Sequence, residues 1–389
     1  MKQTKQAAQT PKQPNFFARL LAFLVTAALV LGAVVLVVNW DKLNIDALRR
    51  WMSYRSVQTS QLGLSERFTH GGGDRVEMAC LDSGYLFSST AGAHFYSSGG
   101  VELGSQVVRM EQPVLSANGQ YGVVYDAGGA SLFRFGGHKE PVVYDGSAGD
   151  VLSARVNENG WLTVTSLPDH YRGGVTVYDP SNQPVIALNF SSAFVTDAIL
   201  SPDGKTVAVV TISQEGGVFQ STLHLYRTDG EEPFHTVVLD GFTVLDMDFD
   251  SQGLWLLGDS SLITLDKQGE QQQEYRFDPA YLKGYALEGD GFAVLTLGKY
   301  RAGAARELVV VDHDARPAAQ KELTTSVLSL TASGRYVAAL TGQELTIYTD
   351  ELNVYSTLDD TQSARYAALH NDGSVLLANR QEAWLYIPD

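Results

Sequence analysis

The sequence has a single cysteine and, over most of its length, few basic residues. Cys80 alone can form neither a disulfide within the chain nor a thiolate metal cluster, and its apolar surroundings favour a small core residue. Of 28 Lys and Arg and 44 Asp and Glu, residues 1–59 hold eight and two, which leaves 20 and 42 for residues 60–389. That body therefore carries a net charge of −22. It would repel polyanions, so we expect no nucleic-acid partner.

Catalytic and cofactor motifs are missing as well. No HExxH, Walker A, GxSxG or CxxC pattern occurs. The run Asp246-Met-Asp248-Phe-Asp250 resembles the start of a calcium loop, but Ser251 and Leu257 stand where that loop needs Gly and Glu. A strand with its aspartates on one face explains the same alternation. The sequence thus predicts no metal, no cofactor and no enzymatic activity.

One long apolar run stands out near the N-terminus. Leu20–Val38 comprises 19 residues without a charge, and as a helix it would extend roughly 28 Å, close to the thickness of a bilayer core. The alternative is a cleaved signal peptide, but its apolar core is usually about 7–15 residues long and ends at a small-residue site, which is missing here. The residues upstream include four basic and no acidic side chains: Lys2, Lys5, Lys12 and Arg19. This bias predicts an uncleaved signal anchor with the N-terminus inside.

The chain then divides into four predicted segments. Residues 1–19 form a disordered basic cytoplasmic tail, 20–38 the transmembrane helix of a single-pass protein of the cytoplasmic membrane, 39–57 a juxtamembrane spacer, and 58–389 an extracytoplasmic domain. Within the spacer, four apolar residues are spaced to share one face of a short helix lying on the membrane: Leu43, Ala47, Trp51 and Met52. A helical spacer without membrane contact is the alternative.

A short repeat is the most informative feature of the large domain. An apolar residue, three mostly polar residues and a glycine recur eight times, with the glycines 35 to 49 residues apart. A strand-like run follows each glycine, and further β-branched and aromatic runs follow after loops. The copies are Cys80–Gly84, Leu115–Gly119, Val156–Gly160, Leu200–Gly204, Phe249–Gly253, Leu287–Gly291, Leu330–Gly334 and Leu369–Gly373.

Four strands in a period near 41 residues are typical of a propeller blade. We therefore predict an all-β fold, a β-propeller of about eight four-stranded blades, with seven blades as the alternative, preceded by one transmembrane helix. The last copy ends after its third strand, at Trp384–Ile387, two residues before the end of the sequence. An unpaired outer edge would invite aggregation. The segment Gln58–His70, with Leu62, Leu64 and Phe68, is therefore predicted to supply the missing fourth strand.

One copy carries a recognisable signature. Ser201-Pro-Asp-Gly-Lys205, followed by Thr206-Val-Ala-Val, is similar to the signature of TolB-like and WD-repeat-like β-propellers. The Trp-Asp dipeptide of true WD repeats does not occur. The layout also resembles membrane-anchored propeller proteins of unknown function from Gram-positive bacteria. The resemblance implies the fold and says little about activity, because propellers host many unrelated functions.

Three long connections between second and third strands indicate a binding surface. They are predicted as loops over 167–173, 213–220 and 298–305, all on one face of the disc. Aromatic and basic side chains on these connections are the favoured anchors of protein interfaces. The predicted binding residues are Tyr171, Arg172, Phe219, Lys299, Tyr300 and Arg301.

The leading hypothesis for function is a membrane-anchored scaffold or sensor that binds a protein of the cell envelope. A cell-wall carbohydrate or peptide binder is the first alternative, and a hydrolase or lyase with a site in the axial channel is the second. A flat aromatic patch would favour the scaffold, and a concave aromatic groove the carbohydrate binder. Inward-facing histidines with carboxylates would favour the enzyme.

Overall fold

The structure, a computed structural model, describes residues 21, 23–27, 30, 45–136, 140–144 and 149–388. In that part of the chain, no helix combines the length and the apolar character needed to cross a membrane. Most of the predicted span over 20–38, and all of the predicted tail over 1–19, lie outside the described residues. The chain separates into two compact units, Met1–Arg49 and Arg50–Asp389. The second unit contains every strand described below.

The described strands form eight four-stranded antiparallel sheets, and each sheet is one blade. The predicted all-β propeller of eight blades is therefore confirmed. In blades 1 to 4 the strands are β2 Glu77–Leu81, β3 Gly84–Ser89, β4 Gly92–Tyr96, β5 Glu102–Gln106; β6 Pro113–Asn118, β7 Tyr121–Asp126, β8 Leu132–Gly136, β9 Val142–Val143; β10 Asp150–Val156, β11 Leu162–Leu167, β12 Gly173–Tyr178, β13 Pro184–Phe190; and β14 Phe194–Leu200, β15 Thr206–Glu215, β16 Val218–Arg227, β17 Pro233–Leu239.

In blades 5 to 8 the strands are β18 Val244–Phe249, β19 Gly253–Gly258, β20 Ser261–Asp266, β21 Gln271–Arg276; β22 Tyr281–Ala286, β23 Phe292–Gly298, β24 Glu307–Asp312, β25 Pro317–Glu322; β26 Val327–Ser333, β27 Tyr336–Thr341, β28 Leu345–Thr349, β29 Val354–Leu358; and β30 Tyr366–Leu369, β31 Val375–Ala378, β32 Glu382–Tyr386 with β1 Phe68–Thr69. The repeated glycine lies between the first and second strand of each blade or begins the second strand, as Gly84 and Gly253 do. Gly204 illustrates why, since its φ of 71° is costly for residues with a Cβ.

The hydrophobic core is divided among the junctions between blades. Eight clusters of buried apolar side chains occur in the described residues, one at each junction of successive blades. Trp255 with Leu295 lies between blades 5 and 6, and Trp384 with Tyr336 lies between blades 8 and 7. Each blade thus buries both of its faces, which explains the continuous apolar runs of the second and third strands.

The ring closes through its N-terminal strand. Phe68 pairs with Ala383 and Thr69 with Glu382, so β1 is the outer strand of blade 8. The predicted closure by the segment 58–70 is therefore confirmed. Leu64 is buried and bridges Tyr386, whereas Leu62 is exposed and takes no part in the predicted alternation.

A short helix, α1 Ile45–Tyr54, precedes the ring. Its last turn is held by the propeller, because the buried Arg50 guanidinium donates to the Asp372 carbonyl at 2.5 Å and to the Tyr355 hydroxyl at 2.8 Å. The Tyr54 hydroxyl lies 2.8 Å from Ser374 Oγ. Burial raises the pKa of Tyr54 well above its usual value, with Asp372 adding to the effect, so the phenol stays neutral.

Candidate binding face and axial channel

Antiparallel pairing sorts the connections of every blade onto two faces. The start of each first strand lies beside the end of the second, as Asp150 with Leu167 and Tyr281 with Gly298 show. Connections between second and third strands therefore share one face with the entries into the blades, and we call this the loop face. The first-to-second turns lie on the opposite, or turn, face.

Two of the three predicted loops are irregular segments of the loop face, as expected. Residues 168–172 connect β11 to β12, and residues 299–306 connect β23 to β24. Tyr171 and Tyr300 are 43% and 66% exposed. Two cation–π contacts order the basic side chains, with Arg172 5.1 Å from the centre of the Phe194 ring and Lys299 5.6 Å from that of Tyr300.

The third predicted loop, over 213–220, is wrong. β15 and β16 continue through it as a paired hairpin, in which Ser213 faces Gln220 and Gln214 faces Phe219. Only Gly216 and Gly217 form the turn, with φ of 60° and 86°, the left-handed pair that a two-residue hairpin turn needs. The polar residues of this segment misled the prediction, because both faces of an extended hairpin tip contact water. Phe219 is nevertheless 68% exposed at this tip.

The six predicted residues belong to blades 3, 4 and 6, and blade 5 separates the last two. Sequence reasoning missed further exposed apolar residues on the loop face, at the starts of first strands. Leu245 and Leu328 bulge out of the ladder, at register shifts that recur in the first strands of blades 3 to 7. The residues missed are Phe194, Leu245, Tyr281 and Leu328. The sequence signal that could have identified them is an apolar residue at the first or second position of a predicted first strand.

The first strands of the eight blades surround an axial channel. Its cavity has a volume of about 580 Å³. Cys80 lines it and donates to the Ala368 carbonyl at 3.3 Å, and burial raises the pKa of its thiol to about 12. Cys80 is thus half-buried on an inner strand, close to the expected core position, and its thiol stays protonated near pH 7.

A charge network crosses the channel wall. Arg155 of blade 3 contacts Asp197 of blade 4 at 2.7 Å and Asp246 of blade 5 at 2.5 Å. Ser153 donates to Asp197 as well. Burial opposes the charged guanidinium, but the two carboxylates outweigh it and raise the pKa of Arg155 further. The network links three successive blades through one side chain.

Two other channel carboxyls, Asp248 and Glu288, have raised pKa values. Burial, and then the neighbouring Glu288, raise the pKa of Asp248 to about 7. Burial likewise raises the pKa of Glu288. The side chain of Glu288 is exposed to the lumen, but the lumen is itself surrounded by protein. Burial and then Asp246 raise the pKa of the Tyr285 hydroxyl. The aspartates of the 246–250 run do alternate with the buried Met247 and Phe249, as the strand interpretation expects.

The described residues that line the channel include several carboxyls and no histidine. Within the described part of the chain, no three His, Cys, Asp or Glu residues are grouped so as to hold a metal ion. The carboxyls around Arg155 instead resemble a structural ion network.

The chain belongs to a family of unknown function, DUF5711. Its model matches residues 53–357, from the end of α1 into β29. No protein with a curated description matches the chain. The family has no assigned function, so this match assigns no activity to the chain.

Three solved structures to which the chain is similar share only 10–13% of its sequence. The C-terminal WD40 domain of Sif2 is 10% identical, with a TM-score of 0.58 over 83% of this chain and 99% of that one. BamB from Moraxella catarrhalis is 13% identical (TM-score 0.49, 83% and 96% covered), and the Cps50 (Swd1) β-propeller domain from Myceliophteria thermophila is 10% identical (0.47, 84% and 99%). The Sif2 match confirms the expectation of a WD-repeat-like propeller, and at this identity it shows the fold alone.

Proposed function

We propose that this protein is a membrane-anchored, extracytoplasmic scaffold whose loop face binds another protein of the cell envelope. The proposal rests above all on the exposed side chains of that face. Tyr171, Phe219 and Tyr300 expose much of their rings to solvent on three blades of one face. Exposed aromatic residues on the insertions of a repeat protein are typical interface anchors.

The surroundings of these rings favour a protein over a sugar as the partner. Sugar-binding aromatics usually line a concave groove. The cavities at the axial channel, beside β1 and beneath the end of α1 contain none of the three rings. The anchors are also spread over blades 3, 4 and 6, a span that suits a large partner. Arg172, Lys299 and Arg301 would pair with acidic groups at the rim of such an interface.

Binding also accounts for the molecule better than catalysis does. The channel carboxyls lie beside Arg155, Ser153 and Tyr285, and no histidine accompanies them among the described lining residues. Membrane attachment through residues 20–38, with the N-terminus inside and the propeller outside, is supported by the uncharged run behind an acid-free basic tail. A reporter that is active only in the cytoplasm, fused after Asp389, should stay silent, and activity would contradict this orientation.

The binding face can be tested with matched triple variants of the full chain. We expect Tyr171→Ala, Phe219→Ala and Tyr300→Ala together to abolish partner capture from native membranes by affinity purification after crosslinking. Each anchor is worth about 2 kcal/mol, or roughly 30-fold in affinity. The control combines Val101→Ala, Val185→Ala and Val354→Ala, which are exposed at the turn-face ends of fourth strands.

The control triple should capture the same partner as the wild type, and both triples should unfold at the wild-type urea concentration. Undiminished capture by the loop-face triple would place the interface elsewhere. Loss of capture by both triples would show that surface apolarity in general, and not this face, carries the interaction. Unfolding of the loop-face triple would show that the three rings are part of the core.

A further inference from the structure

Helix α1 has two different sides. Arg50 and Tyr54, four residues apart, point toward the propeller and are buried against Asp372, Tyr355 and Ser374. The Arg50 guanidinium also lies 5.7 Å from the centre of the Tyr355 ring. These contacts fix the orientation of residues 50–54 against the propeller.

Another face of the helix is apolar and exposed. Leu48, Trp51 and Met52 are spaced i, i+3 and i+4, so they share one face. They are 58%, 66% and 63% exposed. Such a cluster of large side chains on a short helix is a candidate contact surface, since isolated exposed apolar residues are ordinary but contiguous ones are not. We call these three residues the α1 ridge.

The charges around the ridge indicate what covers it. Arg49 is largely exposed beside it, with Asp46 3.6 Å away, and the exposed Arg55 follows directly after the helix. Residues 60–389 in contrast carry −22. An anionic lipid surface attracts the two arginines and repels the acidic body, so contact would be confined to α1. Tryptophan is also the side chain that best suits the boundary between headgroups and acyl chains.

We propose that the α1 ridge lies on an anionic bilayer surface, with Arg49 and Arg55 at the level of the headgroups. This inference rests on the proposed membrane attachment and extends it from a tether to an oriented contact. Asp372 and Ser374, which hold α1, follow the first strand of blade 8 at its turn to the second. Lipid contact through α1 would therefore turn the turn face toward the membrane and leave the loop face open to a partner.

The test measures the depth of a spin label in lipid nanodiscs that contain the full chain. Cys80→Ala removes the only cysteine, and Met52→Cys then gives a single labelling site on the ridge. Leu328→Cys, exposed on the loop face, is the matched control. Collisions with oxygen, which concentrates in lipid, are compared with collisions with a water-soluble nickel chelate. In discs with anionic lipid we expect the label at 52 to favour oxygen and the label at 328 to favour nickel.

The arginines provide a second arm. Arg49→Gln with Arg55→Gln in the Met52→Cys chain should move the label toward water several-fold in nickel accessibility, and purely zwitterionic discs should do the same. Nickel accessibility at 52 equal to that at 328, in chains that remain in the discs, would refute the ridge contact alone. Protection of the label from both colliders would show that protein covers the ridge. Failure of the chain to enter discs or to float with vesicles would overturn the attachment and this inference together.

Discussion

Replacing Arg155 by Met should destabilise the propeller more than the half-buried position of this side chain on a channel wall suggests. The guanidinium is the one cation in contact with Asp197 and Asp246 among the described ion pairs of the channel wall, at 2.7 and 2.5 Å. Met retains an unbranched apolar stem but removes the guanidinium and its charge. The two carboxylates would then face each other across the wall without a counter-charge.

The expected cost follows from the burial of the three partners. Removing one member of a buried ion network costs about 3–5 kcal/mol, because the remaining charges stay desolvated. Here the side chains of Arg155, Asp197 and Asp246 are 27%, 17% and 19% exposed, so the lumen screens part of the effect. We therefore expect the free energy of unfolding to fall by about 2–3 kcal/mol.

The matched control removes the charges that the first variant leaves behind. Arg155→Met combined with Asp197→Asn and Asp246→Asn should recover stability to within about 1 kcal/mol of the wild type. Each Asn can still accept the backbone N–H bonds now made to Asp197 by Ala198 and to Asp246 by Met247. The single and triple variants thus differ mainly in uncompensated charge.

The free energies of unfolding of these variants can be measured by urea unfolding followed by tryptophan fluorescence. Trp255 and Trp384 are fully buried, so their fluorescence reports the loss of packing at the blade junctions. Two results would refute the reasoning. A single variant within about 0.5 kcal/mol of the wild type would show that the lumen solvates the carboxylates fully. A triple variant as unstable as the single one would show that the stem of Arg155, and not its charge, supports the wall.

Two further predictions concern the ring and its channel. Phe68→Ala should lower the free energy of unfolding by about 2 kcal/mol, because Phe68 packs on Tyr85 and Tyr96 across the closure, whereas Leu62→Ala, in the same segment but exposed, should change it by less than about 0.5 kcal/mol. Equal urea midpoints for the two variants would contradict the closure argument. Deletion of residues 56–70 should likewise remove cooperative unfolding. Because the folded pKa of Asp248 is raised from 3.8 to about 7, the unfolded chain loses this proton first, and the free energy of unfolding should fall as pH rises from about 4 to about 7. The free energy of unfolding of Asp248→Asn, relative to that of the wild type, should therefore be about 1–2 kcal/mol higher at pH 8 than at pH 4; the full pKa shift sets an upper limit of roughly 4 kcal/mol. A difference in free energy of unfolding between the two proteins that does not change with pH would show that the carboxyl is solvated normally.

Much of the architecture could be predicted because the same local sequence pattern is repeated in each of the eight blades. The turn glycine, the run after it and the aromatic run of the third strand each depend on residues within one blade, so their period predicted blade number and strand order. The closing strand was predictable from the missing partner of Glu382–Tyr386 alone. The hairpin at 213–220 was mistaken because polar residues at a solvated hairpin tip resemble a loop, and only Gly216-Gly217 marked the turn.

The sequence by itself thus determined the fold, the closure of the ring and the aromatic residues of the loop connections. Only the tertiary structure decided which side chains meet across blades. Arg155, Asp197 and Asp246 lie more than 40 positions apart in succession, and they converge because the ring brings equivalent positions of successive first strands around one axis. The docking of Arg50 and Tyr54 joins residues more than 300 positions apart. No local pattern encodes such contacts, because they depend on the angle between blades and on which blade completes the circle.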